Sequence, residues 1–202
     1  MQWFGKKSAS QVEKRPDNEK DRLPSGQYLT KKWPVLSYER TPKMPTDWKL
    51  KITGLVENPF ELTWEEFLAL PRTTMTADFH CVTTWSRYDN TWEGMHIREI
   101  LQRARPLPSA KYVTAHSWTG YTTNLPFADL NDDDVMMVIK HDGEDLEPDH
   151  GGPVRLIVPK LYAYKSAKWL DGLEFMEHDR PGFWEQRGYH NHADPWKEER
   201  YW

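Results

Sequence analysis

Hydrophobic and polar residues alternate most regularly at Trp48, Leu50 and Ile52 against Lys49, Lys51 and Thr53. That period of two predicts a half-buried strand. Glu57-Asn58-Pro59 then reads as a turn. In Thr63-Trp64-Glu65-Glu66 a hydroxyl and a carboxylate three residues apart can each satisfy the other's amide, which is a capping box. A short helix is expected from there through Leu70, with Pro71 as its stop. Arg72 to Phe79 is β-branched at Thr73, Thr74 and Thr76 and predicts a strand running into His80-Cys81. Thr84 to Gly94 reads as a loop.

Beyond that loop, Ile97, Ile100 and Leu101 share one face of a helix that Pro106 ends. Strands are expected over Lys111 to His116 and Tyr121 to Asn124, around Trp118-Thr119-Gly120. Val135 to Lys140 and Glu144 to Leu146 predict a hairpin on Asp142-Gly143, a dipeptide suited to a type I′ turn. Val154 to Val158, apolar but for Arg155, and Lys168 to Phe175 predict two more strands. Strands outnumber helices and turns join most of them, so the expected class is α+β with mixed β-sheets. Residues 1–26 read as a flexible polar tail and 27–202 as the folded domain, with Phe183 to Trp202 wrapping back over it.

Composition narrows the function. Hydrophobic residues make up 38% and aromatics 13%, with 11 tryptophans, so aromatic rings must fill much of the core. Mean hydropathy is −0.86. No run approaches the roughly 18–20 apolar residues of a transmembrane helix, so no membrane span is expected. A net charge of −4 argues against nucleic acid, which selects a basic face. The single cysteine, Cys81, excludes an intrachain disulfide and any zinc or iron–sulfur site built from several cysteines of this chain. No apolar run follows the first lysines, and a cytoplasmic location is expected.

Three stretches could carry chemistry. Cys81 ends a strand; a lone thiol is most often a small buried hydrophobe, but its thiolate also binds soft metals. His80, its neighbour, should point to the opposite face and so makes a poor base for it. Arg155 stands in the apolar run Val154-Arg155-Leu156-Ile157-Val158, after His150-Gly151-Gly152-Pro153. A buried guanidinium needs an anion, either a carboxylate of the fold or a phosphate ligand, and the sequence leaves both open. Pro159 to Trp169, with three lysines and two tyrosines between two apolar strands, is either solvated surface or a polar-aromatic cradle. His190-Asn191-His192 has zinc-like spacing but no third ligand, and Asp132-Asp133-Asp134 reads as a solvated turn. No P-loop, GxGxxG or GxSxG occurs.

Taken in order, Cys81-Val-Thr-Thr-Trp-Ser, Trp92-Glu-Gly, Gly152-Pro-Val-Arg-Leu-Ile-Val-Pro and Tyr164-Lys-Ser-Ala-Lys-Trp resemble the sulfite-oxidase-type molybdopterin oxidoreductases. The likeness is greatest to their short bacterial branch, to which the catalytic subunit of the methionine-sulfoxide reductase system belongs. The resemblance implies a molybdenum cofactor, Mo-molybdopterin without a nucleotide, with Cys81 as metal ligand and catalytic residue. One cysteine then suffices, because the pterin supplies the other sulfurs. Arg155, Ser166, Ala167 and Lys168 would cradle the pterin phosphate. Tyr38-Glu39 matches a pair that lies near the pterin, although Val35 replaces an Asn there. His116 matches a polar pterin contact, and His150 stands where relatives have Asn.

The implied activity is oxygen-atom transfer to or from a small substrate of sulfite, sulfoxide or N-oxide type, in exchange with an unidentified electron-transfer partner. This chain has no room for the family's immunoglobulin-like or haem domains, and no twin arginine stands near its start. Two other readings stay open: a non-catalytic cofactor-carrying or protein-binding module, and a metal-free thiol enzyme using a distant histidine.

Overall fold

A computed structural model describes residues 22–38 and 40–202. Most of the expected tail, and Glu39, lie outside the described residues. Residues 22–26 are anchored to the domain. Arg22 donates to Asp78 at 2.5 and 2.8 Å and to Asp89 at 2.6 Å, and it lies over the Tyr88 ring.

Two mixed sheets form among the described residues. In the first, β1 (Tyr28–Leu29) runs parallel to β5 (Trp85–His96). β5 also pairs antiparallel with β4 (Arg72–His80) and β8 (Met136–His141). β10 (Arg155–Ile157) and the short β9 (Glu144–Asp145) extend β8. In the second, the order is β3 (Phe60–Thr63), β2 (Lys49–Gly54), β11 (Leu170–Met176), β6 (Tyr112–Ser117), β7 (Thr122–Pro126). Only the β2–β11 pair in that sheet is parallel.

Most of the predicted elements are present. The alternation at Trp48 to Thr53 becomes β2, with Leu50 and Ile52 fully buried. The capping box closes α1 (Trp64–Leu68): Glu66 N donates to Thr63 Oγ1 and Thr63 N to Glu66 Oε2, at 3.3 and 2.8 Å. α2 (Ile97–Ala104) buries Ile97, Ile100 and Leu101 as its spacing requires. Asp142 and Gly143 both have positive φ, 51° and 88°, as a type I′ turn demands. A four-residue helix, α3 (Phe127–Leu130), follows β7 and has no counterpart in the sequence reading.

One expectation is overturned. Thr84 to Gly94 is not a loop: it supplies most of β5, the strand to which β1, β4 and β8 all bond. Its polar residues hid it, because they are satisfied within the sheet. Buried Asn90 donates to Ala77 O at 3.1 Å and Arg87 O at 2.8 Å, while Arg87 pairs with Asp142 beside the hairpin turn. Register shifts at Ala77/Phe79 and Glu93/Gly94 further break the period of two.

The larger core draws on both sheets and on α2, with Leu125, Val154, Leu156, Leu173 and Phe175 among its buried members. A smaller aromatic core packs Phe79, Trp85 and fully buried Trp92 around β4 and β5. Cys81 sits at its edge. No helix among the described residues is long and apolar enough to cross a membrane.

Candidate active site

β4 ends at His80, and the chain turns through Cys81 to Thr84 before entering β5. Thr84 N donates to Cys81 O at 3.1 Å, and Cys81 N to Trp85 O at 2.8 Å. The Cys81 sulfur, 3.1 Å from Thr83 Oγ1, faces a cavity of about 460 Å³. Burial pushes the thiol pKa up, against Thr83, Arg200 and Arg155, which favour the thiolate. His80 points away, as strand alternation predicts. Its Nδ1 lies 2.8 Å from Ser86 Oγ, and its ring meets Trp196 edge-on.

Arg155 reaches the same cavity from β10 and is 2% exposed. The sequence left two partners open, and among the described residues no carboxylate takes the role. Nη1 donates to His150 O at 2.8 Å and Nη2 to Ser166 O at 2.9 Å. Nε is buried without a partner. Burial pushes this guanidinium down to about 9. A cation held this far from compensating charge is a site for an anion.

Lys168 adds a second positive group. Its ammonium donates to Leu36 O at 2.8 Å and Asp149 O at 2.7 Å, and burial followed by Arg155 brings its pKa down to about 7. Ser166 lines the cavity between them, its hydroxyl accepting from Val158 N at 3.0 Å. His150, pushed to about 4 chiefly by burial, is a neutral ring stacked on Trp33 at 3.8 Å. Gly152 lets this corner close: a Cβ there would stand 2.0 Å from Leu146 O.

The structure thus brings together Cys81, Tyr38, His150, Arg155, Ser166 and Lys168. Glu39 lies outside the described residues, and His116 and Ala167 are placed elsewhere. His116 is corrected: on β6 its Nε2 lies 3.1 Å from Glu174 Oε2 on β11, and it does not line the cavity. Strand alternation accounts for this, since Val113 and Ala115 take the buried face and leave His116 on the other. The Ala167 methyl packs in the larger core, and only its backbone serves the loop, accepting from Leu156 N at 2.9 Å. His192, weighed as a zinc ligand, has both ring nitrogens 3.0 Å from carboxylates, of Asp129 and Glu199.

Several wall residues had no individual signal in the sequence. Trp33 stacks from the N-terminal segment, and Trp184 and Tyr189 close the opposite side from the C-terminal one. Tyr121 donates to Tyr164 O at 2.6 Å, and Tyr164 to His190 O at 2.5 Å, tying these walls together. The only trace was the polar-aromatic character of the segments on either side of the central domain.

A mixed two-sheet fold with one cysteine and a carboxylate-free arginine in an aromatic cavity defines a binding site suited to an anionic organic ligand. Residues 38–184 match the family described as the oxidoreductase molybdopterin binding domain, and the chain belongs to that family. It is a molybdopterin-dependent oxidoreductase. It is 41% identical over 189 residues to the uncharacterized oxidoreductase YuiH of Bacillus subtilis, covering 93% of this chain and 96% of that protein. It is 27% identical to the protein-methionine-sulfoxide reductase catalytic subunit MsrP of Campylobacter jejuni, over 74% of this chain but only 57% of MsrP. Among solved structures, the sulfane dehydrogenase SoxCD of Paracoccus pantotrophus is similar with a TM-score of 0.59 and 26% identity, over 71% of this chain and 40% of that one.

The residues present fit Mo-molybdopterin. The cavity offers one thiol, and no cluster of three His, Cys, Asp or Glu suited to hold a metal unaided forms among the described residues. The buried Nε of Arg155 awaits an acceptor, which a phosphate provides.

Proposed function

We propose that this chain moves an oxygen atom to or from a small neutral substrate of sulfoxide or N-oxide type, using Mo-molybdopterin without a nucleotide and exchanging electrons with a separate redox partner. The observation that carries the reading is the carboxylate-free guanidinium of Arg155 in the cavity that the Cys81 sulfur faces. When bound, the cofactor supplies the two-electron chemistry of oxygen-atom transfer. The chain's own residues do the rest. Cys81 gives up its proton to become a metal ligand. Arg155, Ser166 and Lys168 hold the phosphate, while Trp33 and His150 form a flat apolar wall beside it.

Charge bears on the substrate. Arg155 and Lys168 are the cationic side chains of the wall, and no Asp or Glu lines it among the described residues. A phosphate dianion balances those two charges. The remaining wall toward Trp184 and Tyr189 is aromatic and offers an incoming sulfite no cation of its own. The name of MsrP agrees with a sulfoxide.

The test is elemental analysis and dye-coupled turnover of protein from a host that makes the pterin cofactor, wild type beside Cys81→Ser. Near-stoichiometric molybdenum, turnover with dimethyl sulfoxide or methionine sulfoxide exceeding that with sulfite, and loss of activity in the variant are expected. Well-folded protein without molybdenum would refute the cofactor reading, and faster turnover of sulfite would refute the neutral substrate.

A further inference from the structure

The turn that carries Cys81 is held by two residues that do not line the cavity and lie outside the residues matched to the family domain, 38–184. Gln27, just before β1, donates through Nε2 to Cys81 O at 3.0 Å and to Trp85 O at 3.4 Å. Arg200, at the other end of the described chain, donates through Nη1 to Val82 O at 2.7 Å. Its Nη2 reaches Ser25 O at 3.3 Å and Gln27 Oε1 at 3.4 Å, which joins the two residues into one network. The guanidinium also lies over the Tyr162 ring, 4.9 Å from its centroid.

Local backbone makes room for this convergence. Gly26 has φ of +69°, and a Cβ there would fall 2.7 Å from Glu198 Oε1 and 3.2 Å from Arg200 Nη2. Ala193, fully buried, packs with Val82 and Tyr162, and its carbonyl accepts from Tyr162 N at 2.8 Å. The C-terminal segment therefore presses on the cysteine turn through both a charge and a contact. Two carbonyls of the turn, those of Cys81 and Val82, are thus held by Gln27 and by Arg200, and Gln27 also reaches Trp85 O, the acceptor of the Cys81 amide.

We propose that Gln27 and Arg200 are positioning residues for the Cys81 sulfur, setting its direction and its donor strength toward molybdenum through the carbonyls of the turn. The inference rests on the reading of Cys81 as the metal ligand. A turn free of these donors still forms, because Thr84 N bonds Cys81 O on its own, but the sulfur then samples more than one direction. A displacement of about 1 Å at a reacting centre costs up to about a hundredfold in rate.

Arg200→Met keeps the packing over Tyr162 and removes the donors; Arg200→Lys restores one donor and the charge; Gln27→Leu removes the amide independently. Each is purified with the cofactor, checked for folding by thermal melting, and examined for its thiolate-to-molybdenum absorption band, its Mo(V) paramagnetic spectrum, and kcat and KM separately. Arg200→Met and Gln27→Leu are expected to shift the band and the g-values and to lower kcat about ten- to a hundredfold with KM little changed. Arg200→Lys is expected to recover most of both. Folded, molybdenum-loaded Arg200→Met and Gln27→Leu with wild-type spectra and kcat overturn the proposal. A wild-type band that persists in Cys81→Ser overturns the ligand reading itself, and the positioning role with it.

Discussion

Arg155 is the residue on which charge, burial and chemistry meet. Its planar fork donates from two separate nitrogens to two carbonyls, His150 O and Ser166 O, a spread geometry that the point-like ammonium of lysine does not reproduce. Arg155→Lys should therefore lower molybdenum retention about tenfold and cost about 1–3 kcal/mol from the carbonyl left unbonded. Metal content and urea unfolding check the two separately. Lys168, beside it, predicts a pH dependence. Its pKa of about 7 lies below the ordinary 10.5, so between those values the folded protein binds fewer protons than the unfolded chain and gains stability as pH rises. A phosphate favours the ammonium form, so loading takes up a proton above pH 7 and retention weakens as pH rises from about 6 to about 9. Gel-filtered protein assayed for molybdenum at both pH values should show this, and Lys168→Met should flatten it.

At the scale of elements, the C-terminal segment was legible only as something that wraps back. One of its anchors is His192, held between Asp129 of α3 and Glu199. Both of its nitrogens donate only when the ring is charged. The hydrogen bond to Asp129, ahead of the opposing effect of burial, raises its pKa above 6.5. A raised value stabilises fully at pH below the unfolded pKa and loses that contribution as pH climbs through the folded one. Amide exchange over residues 190–200, corrected for intrinsic rates, should thus quicken above neutral pH, and His192→Gln should abolish the pH step. β5 teaches the complementary lesson. Its polar residues resemble a loop along the chain, and only their partners on neighbouring strands make it the centre of a sheet.

The whole molecule is closed by an ion pair with no exposure on either side chain, Lys165 with Glu185 at 2.5 Å. Lys165 also donates to Asn124 O at 2.8 Å, and Glu185 accepts from Thr123 at 2.8 Å. The pair joins the cavity loop, β7 and the C-terminal segment. Lys165→Met leaves a buried carboxylate without its counter-ion and should destabilise by about 3–5 kcal/mol. The double variant Lys165→Met/Glu185→Leu should lose less, because the uncompensated charge is gone; denaturant midpoints compare them. A double variant no more stable than the single would show that packing rather than charge closes the fold.

Local rules act over a few residues, and these the sequence determined by itself: β2, the capped α1, the face of α2, the type I′ hairpin and the opposed directions of His80 and Cys81. The order of the four motifs also pointed to the cofactor and to its cysteine. Tertiary structure alone decided what depends on neighbours distant in the chain. It left Arg155 without a carboxylate and Lys168 half-neutral, and it turned His116 toward Glu174 rather than the cavity. It also brought Trp33, Tyr189, Gln27 and Arg200 from the two flanks to the cavity and its cysteine turn. The physical reason is that burial and the pairing of charges are properties of a surrounding, and only the folded chain supplies one.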